Sequence, residues 1–192
     1  MEMPNVEPTY HTADMVRALI DEERAWPRYE TIWGELHVTP APRPWHQLVV
    51  GRLQHALVTY LERERVGVLL GAPADISWGR DDVLVQPDIF VMPVEMARAA
   101  VEADTWMPVC HLLLAVEVLS PGSVRADRFT KRTLYQKMNV PLYWAIEPDA
   151  HVVEVWTPDA HFPTVERETL TWHPAPDAPA FVLRLAELFR PI

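Results

Sequence analysis

The sequence predicts one domain of the α/β (α+β) class, in which helices pack against a β-sheet. Its 192 residues suit a single core of ordinary size. Apolar residues recur at helical spacing through residues 45–63, which predicts a long helix with one buried face. Residues 111–119 form a short, almost wholly apolar run, as expected of a central strand that is buried on both faces. These segments, with no linker between them, favour a single domain over 1–192.

The N-terminal part of the chain predicts a short helix and a hairpin. Residues 14–25 carry apolar side chains on one side of a helix, which would cover the sheet. Strand-forming runs at 29–32 and 35–38 flank Trp33-Gly34. A glycine suits the positive φ of a two-residue turn, so the two runs should pair as a hairpin.

The rest of the chain predicts short strands and further helices. Glycine, proline and aspartate divide it into pieces of strand length or helix length. We expect strands within 66–92, a surface helix at 94–104, the central strand at 111–119, a helix at about 126–138, strands in LYWAIEP and HVVEVWTP, and a closing strand and short helix at 180–190.

Composition and charge restrict the possible functions. No segment approaches the length needed to cross a bilayer and no leader pattern is present, so we expect a cytoplasmic protein without membrane contact. The single cysteine, Cys110, adjoins the apolar run and should pack in the core. A net charge of −10 argues against nonspecific binding to nucleic acid. Any such contact needs a local basic patch, and the candidates are Arg125, Arg128, Lys131 and Arg132, with Lys137 further along the same helix. These charges would otherwise form a solvated helix face.

Two carboxylates interrupt apolar strands. Glu117 lies in LLLAVEVLSPGS, and Asp88 lies in VLVQPDIFVM after a proline that removes a ladder hydrogen bond. An unpaired buried carboxylate costs several kcal/mol, so each needs a cationic partner, a raised pKa or a shared metal ion. Two such acids on neighbouring strands would suit a hard cation.

The helix after Glu117 offers a lysine close to an acid. Asp127 and Lys131 are four residues apart and share one helix face. They could form an ordinary surface ion pair worth a few tenths of a kcal/mol. Alternatively, because the strand leads directly into this helix, Lys131 could reach a water or phosphate beside a metal ion held by Asp88 and Glu117.

The order of these features resembles a known family. PD, a strand ending EVLSP, an RxDxxxK helix and NVPLYWAIEP closely resemble the Uma-type putative restriction endonucleases, a bacterial family of the PD-(D/E)XK nuclease superfamily. YETIWGEL at 29–36 resembles the opening hairpin of that family, and His46 takes the place of its helix-start histidine. The resemblance covers roughly 12–157, and FVLRLAELF resembles the C-terminal strand of the family.

The resemblance implies a restriction-endonuclease-like mixed sheet flanked by helices, with Asp88 and Glu117 as ligands for Mg²⁺ or Mn²⁺. The usual lysine position of the superfamily is occupied by Leu119, so the lysine would come from the following helix as Lys131. The early glutamate of the superfamily could be Glu35 or Glu30. We favour Glu35 because it follows the turn glycine. Residues that could lie in a second shell or contact the substrate are His46, Asp127, Arg128 and Glu30.

The expected function is therefore that of a metal-dependent endonuclease acting on DNA. A metal-activated water would attack a phosphodiester, Lys131 would orient the water or stabilise the transition state, and Asp127 would hold the lysine. A phosphodiesterase acting on RNA remains an alternative. Another is a non-catalytic interaction or dimerisation module that retains the nuclease fold, in which Lys131 or Arg128 neutralises Glu117. The resemblance also implies a homodimer.

Overall fold

The computed structural model describes residues 9–20, 26–121, 123–124 and 126–192. The elements in chain order are α1 (Ala13–Arg17), β1 (Arg28–Ile32), β2 (Glu35–Thr39), α2 (Pro44–Glu64), β3 (Val68–Gly71), β4 (Val83–Leu84), β5 (Ile89–Met92), α3 (Val94–Ala103), β6 (Leu114–Val118), a π-helix (Ala126–Lys131), α4 (Arg132–Lys137), β7 (Tyr143–Glu147), β8 (Val152–Trp156), β9 (Thr164–Glu166), β10 (Thr169–Trp172), β11 (Phe181–Arg184) and α5 (Leu185–Leu188). Within these residues, no helix is long and apolar enough to span a bilayer.

A mixed six-stranded sheet forms the centre of the fold, with the strand order β3-β5-β6-β7-β8-β9. The pair β6 and β7 is parallel, and the other pairs are antiparallel. Smaller sheets are formed by β2-β1-β4 and by β10-β11. The predicted mixed sheet flanked by helices is confirmed, and β6 is the buried strand that the apolar run at 111–119 predicted.

Alternation along the strands divides the core between the two faces of this sheet. Val116 and Val118 pack on one face with α2 and the β10-β11 sheet. Ala115 and Leu119 pack on the other face with α3, α4 and part of the small β1 sheet. Because side chains alternate along a strand, Glu117 projects to the same face as Ala115. The carboxylate therefore faces the helix that follows its own strand.

The predicted hairpin and long helix are confirmed. Trp33 and Gly34 both have positive φ, as expected of the turn type that joins two strands most tightly. At Gly34 the φ of 81° would strain any other residue, and a Cβ atom there would lie 2.3 Å from the ring of Tyr10. Helix α2 begins with Pro44, where the missing N–H is no loss, and ends at Glu64, after which Arg65 adopts the left-handed conformation.

Two predicted helices differ from the structure. Helix α1 ends at Arg17, after which Leu19 and Ile20 donate to the carbonyls three residues earlier, while residues 21–25 lie outside the described residues. The helix predicted at 126–138 begins as a π-helix and becomes α-helical only at Arg132. The wider π-turn carries Asp127 and Lys131 inward, as π-turns often do at functional sites.

Two local predictions were wrong. The run VLVQPDIFVM is divided at Gln86-Pro87-Asp88, so its two halves join different sheets as β4 and β5. The proline lacks the N–H that a continuous ladder would need. Cys110 is exposed, because it precedes β6 in a loop whose core contacts come from Val109 and Leu112.

Candidate active site

The central sheet places Asp88 and Glu117 side by side. The antiparallel register pairs Ile89 with Val116, and its continuation by one residue brings Asp88 opposite Glu117. Asp88 is anchored there by the Val118 N–H, which donates to its Oδ2 at 2.9 Å. Strand β3 approaches closely, since a Cβ atom on Gly71 would lie 2.8 Å from the carbonyl oxygen of Asp88. The two acids therefore meet on one face of the sheet, as the sequence predicted.

Lys131 lies at the centre of a buried group of carboxylates. Its Nζ is 2.8 Å from Glu30 Oε2, 3.0 Å from Glu117 Oε1 and 3.5 Å from Asp127 Oδ1. The lysine is only 4% exposed, which excludes the solvated ion pair that its spacing from Asp127 also allowed. Burial opposes its charge, but the carboxylates of Glu117, Glu30 and Asp127 hold the pKa of Lys131 well above its ordinary value.

The hairpin contributes Glu30 to this group, not Glu35. Glu30 lies in the middle of β1, and its Oε1 accepts a hydrogen bond of 2.7 Å from the Gln86 N–H. Glu35 is exposed at the first position of β2 and does not line the cleft. Both side chains lie on the same face of the hairpin. Glu35, however, pairs with Ile32, which is two residues beyond Glu30 at the turn end of the hairpin. The expectation that Glu35 would be the better placed residue was therefore wrong.

Glu117 is 3% exposed and shares one oxygen between two donors. Lys131 Nζ and the hydroxyl of Tyr135 contact Glu117 Oε1 at 3.0 and 2.8 Å. Burial raises the pKa of Glu117 well above its ordinary value, opposed by Lys131 and reinforced by Asp127, Asp88 and Glu30. A carboxylate in such a place ionises readily only when a further positive charge is near.

The pKa of Asp88 is shifted in the opposite direction to that of Glu117. Burial favours its neutral form, but a hydrogen bond and charge from His46, together with Arg28 and the Val118 N–H, hold the pKa of Asp88 below its ordinary value. His46 Nε2 is 3.1 Å from Asp88 Oδ2, and Arg28 Nη1 is 3.1 Å from Oδ1. His46 thus contacts the site, as its position at the start of α2 suggested.

The remaining basic candidates lie elsewhere. Arg128 pairs with Glu147 and Glu154 on β7 and β8 and does not line the cleft. It is therefore not placed to neutralise Glu117. Arg132 stacks over the ring of Trp156 at 4.7 Å. Arg125 lies outside the described residues.

These side chains surround a cleft of about 20 Å³, roughly the space of a single water molecule or small ion. The lining includes four acidic residues and two permanently charged basic residues. The acids are Glu30, Asp88, Glu117 and Asp127, and the bases are Arg28 and Lys131. Among the described residues, no three acidic, histidine or cysteine side chains are grouped closely enough to hold a metal ion by themselves. Asp88 and Glu117 could supply two oxygen ligands, and water and a phosphate could supply the others, as is usual for Mg²⁺.

A larger groove of about 520 Å³ lies between α2 and the C-terminal segment, lined by Arg52, His55, Leu183 and Glu187 among others. Among the described residues, its lining includes one acid, Glu187, whose ion pair with Arg184 is exposed. Perturbed pKa values and converging polar groups are better markers of an active site than volume. The small acidic cleft is therefore the candidate active site.

Comparisons with known proteins support the fold. The family model Uma2, described as "Putative restriction endonuclease", matches residues 13–186. This chain belongs to the Uma2 family. The match includes both sheet carboxylates and Lys131 and extends through β11. The resemblance stated from sequence motifs is thus confirmed over most of the chain.

One solved structure has the same fold as this Uma2 family member. It is the crystal structure of a protein from Anabaena variabilis, described as a putative nuclease belonging to DUF820. The two chains are 22% identical, the alignment covers 93% of this chain and 97% of the other, and the TM-score is 0.72. No curated protein matches the chain. At this identity the likeness shows the fold alone.

Sequence reasoning missed two residues of the site. Tyr135 lies in an apolar pattern typical of a core residue, and it is fully buried, but its hydroxyl contacts Glu117. Arg28 was not considered, although it stands two residues before Glu30 and therefore on the same face of β1. The signal that could have revealed Arg28 is this alternation, combined with the need of Asp88 for a cationic partner.

Asp127 offers a test of the buried electrostatics. Burial raises its pKa from 3.8 to about 6, opposed by Lys131. The unfolded chain therefore loses this proton near pH 4 while the folded protein keeps it until about pH 6, so the wild type loses stability over that interval. Asp127→Asn mimics the protonated form. As pH rises from 4 to 6, we expect its free energy of unfolding to increase by up to about 3 kcal/mol relative to wild type, and this difference should persist above pH 6.

Urea unfolding between pH 4 and pH 8 measures this difference. Asp159→Asn is the matched control, because it makes the same substitution at an exposed position. A difference between Asp127→Asn and wild type that is constant, or that falls with rising pH, would contradict the assignment.

Proposed function

We propose that this protein is a divalent-metal-dependent endonuclease that hydrolyses phosphodiester bonds of DNA. The observation that carries the proposal is the pairing of Asp88 and Glu117 across β5 and β6, with Lys131 3.0 Å from Glu117 in a cleft where acids outnumber cations. The family supports nuclease activity in general. The requirement for a metal ion and the choice of DNA as substrate are proposals that go beyond the family match.

The cleft suits Mg²⁺ or Mn²⁺ by its donor chemistry. Asp88 and Glu117 would hold the ion through carboxylate oxygens, which hard cations prefer. Positive charge there would also favour the ionised form of Glu117, whose pKa burial raises. When bound, the ion supplies an activated water and neutralises charge on the phosphate.

The residues of the chain then have distinct tasks. Lys131 presents a permanent positive charge to the cleft and would orient the attacking water or stabilise the transition state. Glu30 and Asp127 fix the lysine on two sides, at 2.8 and 3.5 Å. Tyr135 holds the oxygen of Glu117 that Lys131 also contacts. Such fixed groups need little rearrangement when charge develops in the reaction.

A non-catalytic module is the second candidate function, and one contact favours it. The ion pair of Lys131 with Glu117 is the neutralisation that this alternative requires. However, Lys131 also pairs with Glu30 and Asp127, and a single lysine leaves this group of acids with excess negative charge. The excess is easier to explain if a cation enters the cleft.

The decisive experiment combines metal binding with cleavage. Mn²⁺ and Mg²⁺ would be titrated calorimetrically into wild type and Asp88→Asn, and each protein would be incubated with supercoiled plasmid, single-stranded DNA and RNA. We expect saturable metal binding and DNA cleavage by wild type, and neither by Asp88→Asn. Asp159→Asn, an exposed aspartate variant, should behave as wild type.

Each other outcome has a definite meaning. A wild type that binds no metal and cleaves nothing would favour the non-catalytic module. Cleavage of RNA alone would replace the DNA substrate. We also propose a homodimer for this nuclease, which light scattering of the wild type in solution would test.

A further inference from the structure

Arg28 lines the cleft beside Asp88, and its side chain is more exposed than that of Asp88, at 16% against 8%. Its Nη1 is 3.1 Å from Asp88 Oδ1, and its guanidinium group lies 4.3 Å from the centre of the Trp26 ring. Both Arg28 and Trp26 line the cleft, together with Thr39, which pairs with Arg28 across the hairpin. The arginine therefore belongs to the site although it contacts neither Lys131 nor Glu117.

The two oxygens of Asp88 have different partners. Within the described residues, Oδ2 is held by His46 and by the Val118 N–H, whereas Oδ1 is held by Arg28. The backbone donor and the helix α2 histidine fix Oδ2 in place. Oδ1 is thus the oxygen that a metal ion could share, and Arg28 is the group that it would displace or repel.

A released Arg28 would remain in the wall of the cleft. Stacking on the Trp26 ring retains a guanidinium group near an aromatic face without using its N–H donors. Arginine has five such donors, arranged as a planar fork that matches the oxygens of a phosphate. Only Nη1 is used by a partner in the described part of the chain.

We propose that Arg28 is a phosphate-binding residue of the active site that exchanges Asp88 for a substrate phosphate when a divalent cation occupies that carboxylate. This inference rests on the proposed metal-dependent nuclease function. In the absence of metal, Arg28 pairs with Asp88, and an entering cation competes with it for that carboxylate. In its presence, the arginine becomes free to hold the nucleic acid.

Metal titration tests the competition directly. Calorimetric titration of Mn²⁺, without nucleic acid, would compare wild type, Arg28→Gln, Arg28→Lys and Arg98→Gln. Arg98 is exposed on α3 and controls for the loss of one positive charge. We expect Arg28→Gln to bind Mn²⁺ about tenfold more tightly than wild type because the competing cation is gone. Arg28→Lys and Arg98→Gln should bind as wild type does.

Oligonucleotide binding tests the second half of the exchange. Fluorescence anisotropy of a labelled DNA duplex would be measured with Ca²⁺ and with EDTA. We expect both Arg28 variants to lose about tenfold or more in affinity with Ca²⁺, since a bidentate charged contact is lost, and little with EDTA. Arg98→Gln should change neither affinity by a comparable amount.

Several outcomes would overturn the inference. If Arg28→Gln binds Mn²⁺ no more tightly than wild type, there is no competition. If the Arg28 variants lose duplex affinity equally with Ca²⁺ and EDTA, or not at all, the exchange is wrong while the nuclease proposal stands. A wild type that binds no Mn²⁺ would overturn both proposals. Thermal melting of each variant shows whether it is folded, and Arg28→Lys keeps the charge if Arg28→Gln does not fold.

Discussion

Replacing Glu117 by glutamine is expected to abolish cleavage while leaving the protein at least as stable as the wild type. In the proposed mechanism Glu117 holds the metal ion, which contributes several kcal/mol to phosphodiester hydrolysis, so activity should fall by about a thousandfold or more. Glutamine keeps an oxygen that can accept from Lys131 and from Tyr135, which contact Glu117 Oε1 in the wild type. The substitution thus removes the charge and preserves the packing.

The stability change follows from the pKa of Glu117. Burial raises that pKa well above its ordinary value of 4.5, so the unfolded chain releases the proton at lower pH than the folded protein. A group of this kind favours the folded state below pH 4.5 and loses that contribution as pH rises. The stability of Glu117→Gln relative to wild type should therefore increase from about pH 4.5 upward.

Urea unfolding at several pH values and plasmid cleavage at neutral pH measure the two effects. Glu62→Gln, on the exposed side of α2, is the matched control and should change neither. A Glu117→Gln protein that cleaves like wild type would remove Glu117 from the catalytic site. A variant that is much less stable at pH 8 would show that the charged form of Glu117 supports the fold.

Replacing Lys131 by methionine is expected to destabilise the protein strongly at neutral pH. The lysine contacts Glu30, Glu117 and Asp127, all of which are buried. Removing one partner of a buried ion pair costs about 3–5 kcal/mol because the opposite charges are left uncompensated. We expect a loss of that size at pH 7–8, together with loss of cleavage.

Part of this loss should be recovered in acid. In the wild type, the raised pKa of Lys131 keeps its charge, and its stabilising contribution, through the whole range below pH 10.5. In Lys131→Met, the carboxyl groups can lose their repulsion by binding protons, and Asp127 already titrates at about 6 in the wild type. The difference in free energy of unfolding between wild type and variant should therefore shrink as pH falls toward 5.

Urea unfolding at pH 5 and pH 8 checks this prediction. Lys137→Met is the matched control, since Lys137 is an exposed lysine of α4. The double variant Lys131→Met with Glu117→Gln should be more stable than the sum of the single effects predicts, because one of the stranded charges is removed. A Lys131→Met protein as stable as wild type at pH 8 would mean that the acids are not ionised together.

The sequence predicted the parts of the site that lie on buried strands. An acid in an apolar run is conspicuous, and both Asp88 and Glu117 were found by that signal alone. Lys131 was found through its spacing from Asp127 and through the family resemblance. The structure brings these three residues to one cleft, and the sequence could point to them because strand burial and helix spacing are local properties.

The predictions that failed depended on distant contacts. Whether Glu30 or Glu35 enters the cleft depends on a contact between the hairpin and a distant segment, because the Gln86 N–H donates to Glu30. Arg28 joins the site because Asp88, 60 residues away, needs a second cation. The residues around Tyr135 form an apolar pattern typical of a core helix. Only the tertiary structure shows that its hydroxyl donates a hydrogen bond to Glu117.

The sequence by itself therefore determined the fold class, the family, the two sheet acids and the lysine-bearing helix. Periodicity, apolar runs and motif order can be recognised from residues that lie close together in the sequence. Only the tertiary structure decided which glutamate joins Lys131, that the helix begins as a π-helix, and that Arg28 shares Asp88 with His46. Those outcomes follow from the pairing of separate strands and from the need to neutralise buried charge, which no local pattern specifies.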